Sequence, residues 1–142
     1  MQYVFVYGTL RAGEINDIAR AAWRHGIDVP RLVGTASVQG RLYDFGRYPG
    51  LVLDPSAGPV LGDVYAIEEA LLPVLDEIEH VYPGVDGLFK SEEVTVEVDG
   101  RAMRCLFYPV GADAIENRPC IEVGDWVAYR LARDAAREAA TS

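Results

Sequence analysis

The sequence predicts an α+β domain in which a mixed or antiparallel sheet curls toward a small β-barrel flanked by a few helices. Two observations carry this prediction. Short apolar, β-branched and aromatic runs recur along the chain between turn residues, while helical spacing is confined to a stretch after the first strand, one at mid-chain and one at the end. Strands and helices do not alternate regularly, which argues against a parallel βαβ sheet. At 142 residues the chain fits one domain, residues 1–142, large enough to bury a core without a disulfide or metal staple.

Composition narrows the classes of function. Hydrophobic residues make up 50% of the chain and charged residues 25%, a globular balance. The formal net charge of −9, with 13 Lys and Arg spread along the chain, argues against nucleic acid as a partner and disfavours anionic membranes. No apolar run approaches the ~20 residues of a membrane span. The first residues lack the basic segment, long apolar core and cleavage site of a secretory leader, so the cytoplasm is the expected location. Cys105 and Cys120 are too few for a disulfide framework and match no zinc spacing. Cys105 reads as a small core residue of a strand, and Cys120 as the same or a bystander thiol.

Taken in order, Tyr3 to Tyr7 is an apolar run that stops at Gly8 and reads as a buried strand. Gly8 can adopt backbone angles closed to other residues, and Thr9 adds a hydroxyl beside exposed peptide N–H groups. The loop Tyr7-Gly8-Thr9-Leu10 can therefore present several donors to an anionic or carbonyl oxygen. Glu14 to His25 places Ile15, Ile18, Ala19, Ala22 and Trp23 near one helical face and stops at Gly26. Leu32 to Val38 and Arg41 to Phe45 read as two strands of a hairpin around Gln39-Gly40. Gly46 to Gly50 reads as a loop leading into the strand Leu51-Val52-Leu53, Asp54 to Pro59 as a turn cluster, and Val60 to Ile67 as a further strand.

Glu68 to His80 reads as a helix whose regular part begins late or breaks near Pro73. Wound at ~100° per residue, it puts Leu71, Leu75 and Ile78 on one side with Leu72 at the margin. Glu79 falls between Leu75 and Leu72, so one carboxylate sits on the apolar arc while Asp76, Glu77 and His80 point elsewhere. A carboxylate in partly apolar surroundings keeps its proton to higher pH than one in water, which suits a group that accepts and returns a proton near neutrality. Glu79 is thus the candidate general base. Leu88 to Val98 and Arg101 to Pro109 form a hairpin across Asp99-Gly100. Asp125 caps a closing helix from Trp126 to Ala139, and Trp126 supplies a large packing surface.

Tyr7-Gly8-Thr9-Leu10 after an apolar strand, followed at mid-chain by Leu75-Asp76-Glu77-Ile78-Glu79, resembles the gamma-glutamylcyclotransferase-like superfamily, which includes gamma-glutamylamine cyclotransferases. Tyr48-Pro49-Gly50 and Gly124-Asp125-Trp126 are similar to further elements of that family, and the likeness runs from Gln2 to about Trp126. It implies the family's barrel-like fold and, for the last residue of the Leu-Asp-x-x-Glu segment, Glu79, the role of catalytic glutamate. It further implies internal attack of a γ-glutamyl α-amine on its own γ-carbonyl, which releases 5-oxoproline and an amine. The partner is then a small γ-glutamyl compound, with no metal or organic cofactor. Tyr7, Gly8, Thr9 and Leu10 would bind substrate, with Tyr108 at the pocket rim.

The chain departs from the family pattern at Phe89-Lys90-Ser91, where relatives often carry Tyr-x-Arg, and at His80, where they commonly carry glycine. These changes remove a hydroxyl and an arginine charge, which Lys90 replaces in part. A second expectation therefore stands beside the enzyme: a domain that binds a glutamyl-like ligand without turning it over. A third is an interaction domain using the acidic surface, for which no specific motif is present. The leaving amine and the oligomeric state are not encoded in any motif.

Overall fold

The computed structural model describes residues 2–8, 10–11, 17–45, 49–75, 92–110, 115, 118–121 and 123–141. Its strands are β1 (Gln2–Val6), β2 (Arg31–Asp44), β3 (Pro49–Leu53), β4 (Pro59–Ile67), β5 (Glu92–Val98), β6 (Arg101–Phe107) and β7 (Cys120–Ile121). Helix α1 spans Ile18–Arg24, and a 3-10 turn at Glu69–Leu71 passes directly into α2, described over 72–75. Helix α3 spans Trp126–Thr141. The strands form one sheet in the order β3-β2-β4-β1-β6-β5, with β7 beside β2. Only the β1–β6 pair is parallel among the described pairings, so the sheet is mixed.

Two contacts curl the sheet into a half-barrel. Gly34 on β2 lies so close to Val98 on β5 that a Cβ there would sit 2.7 Å from the valine Cγ1. Beyond β6 the chain reaches β3, where the Val110 N–H donates to the Leu51 carbonyl (3.0 Å). Strand alternation then divides the apolar residues between two faces. Val4 and Val6 of β1 pack with Leu10, Ile18, Ala22, Leu71 and Leu75 under the helices, whereas Phe5 and Tyr7 join Val64, Phe107 and Trp126 on the other face.

Three elements differ from the sequence expectation. The predicted hairpin at Gln39-Gly40 is instead the middle of one continuous strand, β2. What changes there is the neighbour: Arg31 to Gln39 pair with β4, and Gly40 to Asp44 pair with β3. Gly40 is needed because β3 approaches closely, with the Val52 carbonyl oxygen 2.7 Å from where a Cβ would stand. Pro49 and Gly50 belong to β3 rather than to a loop. Helix α1 begins only at Ile18, with the Asp17 carboxylate accepting the Ala19 N–H (2.9 Å), and it buries Ile18, Ala21 and Ala22. Trp23, expected on the buried face, is 78% exposed. At ~100° per residue it lies about 140° around the helix from Ile18.

Other elements match their local chemistry. Asp99 (φ 50°) and Gly100 (φ 78°) both take positive φ in the turn joining β5 to β6, the pairing a two-residue hairpin requires. Leu71 and Leu75 are fully buried and Pro73 lies at the start of α2, where a missing N–H costs little. Cys105 is a buried strand residue whose thiol is pushed up to about 11 by burial, and Cys120 is exposed. Asp125 caps α3, accepting the Val127 N–H at 3.0 Å and the Ala128 N–H at 3.3 Å. The inner face of α3 is tied to β2 by Asp44, which accepts a hydrogen bond from the Tyr129 hydroxyl (2.6 Å) and pairs with Arg133 (3.1 Å). That hydrogen bond, with burial, raises the Tyr129 phenol above its ordinary value. Among the described residues no helix is long and apolar enough to cross a membrane.

Candidate active site

The site is built where β1 ends. Tyr7 is buried, and its hydroxyl donates to the Tyr108 carbonyl (2.6 Å) while accepting the Leu51 N–H (3.2 Å). One phenol therefore joins the end of β1 to β3 and to the segment leaving β6. Gly8 follows, pressed against Pro49: a Cβ would lie 2.6 Å from the proline Cγ and 2.9 Å from its Cδ. The structure thus brings together Tyr7, Gly8, Pro49 and Tyr108 from three separate parts of the chain. Tyr108 is 4% exposed, packs in the helix-side core, and meets Tyr7 through its backbone carbonyl.

The turn itself is closed by the Arg11 N–H donating to the Gly8 carbonyl (3.1 Å), and the Ile18 N–H at the start of α1 donates to the Leu10 carbonyl (3.0 Å). The Gly8 and Leu10 N–H groups donate to no described residue, although both residues are buried. Buried backbone N–H groups are almost always paired, so a turn in which two of them donate to no described residue is suited to receive a ligand oxygen. Thr9 and the candidate base Glu79 lie outside the described residues, as do His80, Phe89, Lys90 and Ser91.

Sequence reasoning missed one member of this neighbourhood. Arg11, directly after the turn, pairs through Nε with Asp63 on β4 (3.2 Å) and through Nη1 with the cap residue Asp125 (3.1 Å). Its side chain is 14% exposed. The partners stand 52 and 114 residues away in the chain, so no local spacing signals the cluster. Nearby, burial first and then the Asp63 and Asp17 charges raise the Tyr65 phenol above its ordinary value, so it stays protonated at neutral pH. A surface cleft of about 330 Å³ lies at the Tyr3 end of β1, away from Gly8, between Arg31, Leu32, Val98 and Arg101. It holds none of the candidate residues. Among the described residues no three His, Cys, Asp or Glu side chains converge as a metal site requires.

Two substitutions test this geometry. Tyr7→Phe removes a buried hydroxyl that bonds at least two described groups and is expected to destabilise the protein by about 1–3 kcal/mol, read as a lower urea midpoint. An unchanged midpoint would mean that the hydroxyl does not hold β1, β3 and the Tyr108 segment together. Gly8→Ala meets a proline ring that cannot swing aside. The turn must shift, with an expected loss of about 10²-fold in turnover from a displacement near 1 Å. Wild-type turnover in a folded G8A protein would show that the turn does not position substrate.

Residues 4–128 match the family model described as gamma-glutamyl cyclotransferase, AIG2-like. The chain is 35% identical over 135 residues to gamma-L-glutamyl-butirosin B gamma-glutamyl cyclotransferase of Niallia circulans, covering 92% of this chain and 79% of that one. It is 38% identical over 76 residues to the gamma-glutamylcyclotransferase family protein YtfP of Escherichia coli K12, covering 53% of this chain and 59% of that relative. The crystal structure of an AIG2-like protein from Mus musculus superposes with a TM-score of 0.69 at 26% identity, covering 86% of each chain. The curled mixed sheet is the fold that this chain shares with the mouse protein. The chain belongs to the gamma-glutamyl cyclotransferase, AIG2-like family, and is an enzyme of the cyclotransferase type.

Proposed function

We propose that this protein cleaves a γ-glutamyl amide by intramolecular cyclisation, releasing 5-oxoproline and a free amine. The observation that carries this reading is that Gly8 and Leu10 are buried with N–H groups that donate to no described residue, within the Tyr7-Gly8-Thr9-Leu10 motif whose sequence resembles the family's signature loop. Membership of the family and the likeness to an enzyme named for a γ-glutamyl substrate support it.

The chemistry follows from what ring closure demands. The substrate's α-ammonium must lose a proton before its nitrogen can attack, and Glu79 is assigned that proton. The nitrogen lone pair then adds to the γ-carbonyl carbon, and negative charge develops on the carbonyl oxygen. The turn N–H groups stabilise that charge without reorganising, because β3, α1 and Arg11 already hold the turn. Collapse of the intermediate breaks the bond to the leaving nitrogen, which takes the first proton back from Glu79. The carboxylate so regenerated accepts the second proton, shed by the ring nitrogen as it becomes the lactam N–H, and that proton departs on the free amine as its ammonium. Holding the glutamyl chain curled against the turn removes most of the entropy cost of closure. Tyr7, Thr9 and Tyr108 are assigned to the walls and rim of the same pocket.

The test is to incubate the protein with γ-L-glutamyl-L-alanine, Nε-(γ-L-glutamyl)-L-lysine and γ-L-glutamyl-n-propylamine and to follow 5-oxoproline by mass spectrometry. Release from at least one supports the reading and ranks the leaving groups. Saturable binding of all three without product would replace it with a glutamyl-binding domain.

A further inference from the structure

We propose that Arg11 is a positioning residue for this reaction, holding the Gly8–Leu10 turn in its donor-presenting shape through a fork across two carboxylates. The inference rests on the function proposed above, and its geometry is specific. Arg11 Nε meets Asp63 on β4 and Nη1 meets Asp125 at the start of α3, while the Arg11 N–H closes the turn onto the Gly8 carbonyl. Asp63 stands opposite Val6, the last residue of β1, so the fork grips the chain just beyond the strand end from which the turn departs. Asp125 Oδ1 receives the Val127 and Ala128 N–H groups as well as the guanidinium, which fixes that end of the fork to a helix.

Among the described residues, the tethers on the turn use groups other than the two candidate donors. The Gly8 and Leu10 carbonyls, the Arg11 N–H and the Arg11 side chain are all engaged, whereas the Gly8 and Leu10 N–H groups donate to no described residue. Stability alone is a poor reason for the cluster, since burying charges costs desolvation and packed apolar residues often do as well. A planar guanidinium can reach two acceptors in fixed directions, and a lysine ammonium cannot reproduce that fork. Orientation of the turn is what the arrangement provides.

The experiment compares wild type with Arg11→Lys and Asp125→Asn, the latter keeping a competent helix cap while removing one charge of the fork. On the γ-glutamyl compound turned over fastest, kcat of R11K is expected to fall by about 10²-fold with KM changed less than about threefold, at a temperature well below the melting point. D125N should lie between R11K and wild type. A lowered melting temperature with kcat unchanged would overturn the proposal, since a purely structural ion pair behaves that way. Amide hydrogen exchange, read by NMR, separates this test from the activity itself. In R11K the amides of residue 11 and Ile18, which close the turn onto the Gly8 and Leu10 carbonyls, should exchange faster while those of Phe5 and Val64 in the sheet stay protected. If wild type turns over none of the three compounds, the proposed function fails and the exchange result alone decides Arg11: unchanged exchange at the amides of residue 11 and Ile18 overturns its role in holding the turn.

Discussion

Replacing Glu79 with glutamine is expected to lower 5-oxoproline release by about 10²- to 10⁴-fold while leaving the fold intact, the range general acid–base catalysis supplies. Gln has the same shape and can still accept a hydrogen bond, but it cannot take the α-ammonium proton or hand it to the leaving amine. The expectation rests on helical phase. Leu71 and Leu75 are both fully buried, and in the sequence Glu79 follows Leu75 by four positions, the spacing from which the same arc is expected, although Glu79 itself lies outside the described residues. Far-UV circular dichroism and the melting temperature check the fold, and mass spectrometry reads the product. Unchanged turnover in a folded E79Q protein would remove Glu79 from the mechanism.

Truncating Trp126 to alanine is expected to be among the most destabilising single changes in the chain, at about 3–5 kcal/mol. Trp126 is the largest of the fully buried side chains and sits in the inner core with Phe5, Tyr7, Val64 and Phe107. It is also the platform for the Arg133 guanidinium, 5.3 Å from its ring centroid, and neighbours Tyr129 at 6.0 Å. Against a typical domain stability of about 5–15 kcal/mol, the loss approaches unfolding. Its indole N–H is buried and has no hydrogen-bond partner among the described residues. Trp126→Phe should therefore cost much less than Trp126→Ala, because it restores most of the volume and breaks no described hydrogen bond. Urea denaturation of both variants checks this, and equal losses would point to a role for the indole N–H rather than for its bulk.

What the sequence made legible is what local chemistry decides. The Asp99-Gly100 turn, the Asp125 cap, the buried Cys105 and the end of β1 shortly before Gly8 each follow from a residue and its immediate neighbours. The unbroken course of β2 through Gln39-Gly40 was not legible. Its glycine answers to the close approach of β3 rather than to a turn, and that contact exists only once the sheet has formed. Trp23 misled because it lies about 140° around α1 from Ile18, outside the stripe of Ile18, Ala21 and Ala22 that the helix buries. At the candidate site the turn was visible as a motif. The Arg11 fork was not, since its two carboxylates arrive from β4 and from the head of α3. Site geometry of this kind belongs to topology, and periodicity carries no trace of it.

The most direct test of the central claim, that the γ-glutamyl amide is opened by its own α-amine, is to run the reaction in H₂¹⁸O and weigh the products. Internal attack predicts 5-oxoproline without ¹⁸O, formed in equal amount to the free amine. Glutamate carrying one ¹⁸O in its γ-carboxylate would mean that water is the nucleophile, and would contradict the cyclotransferase account.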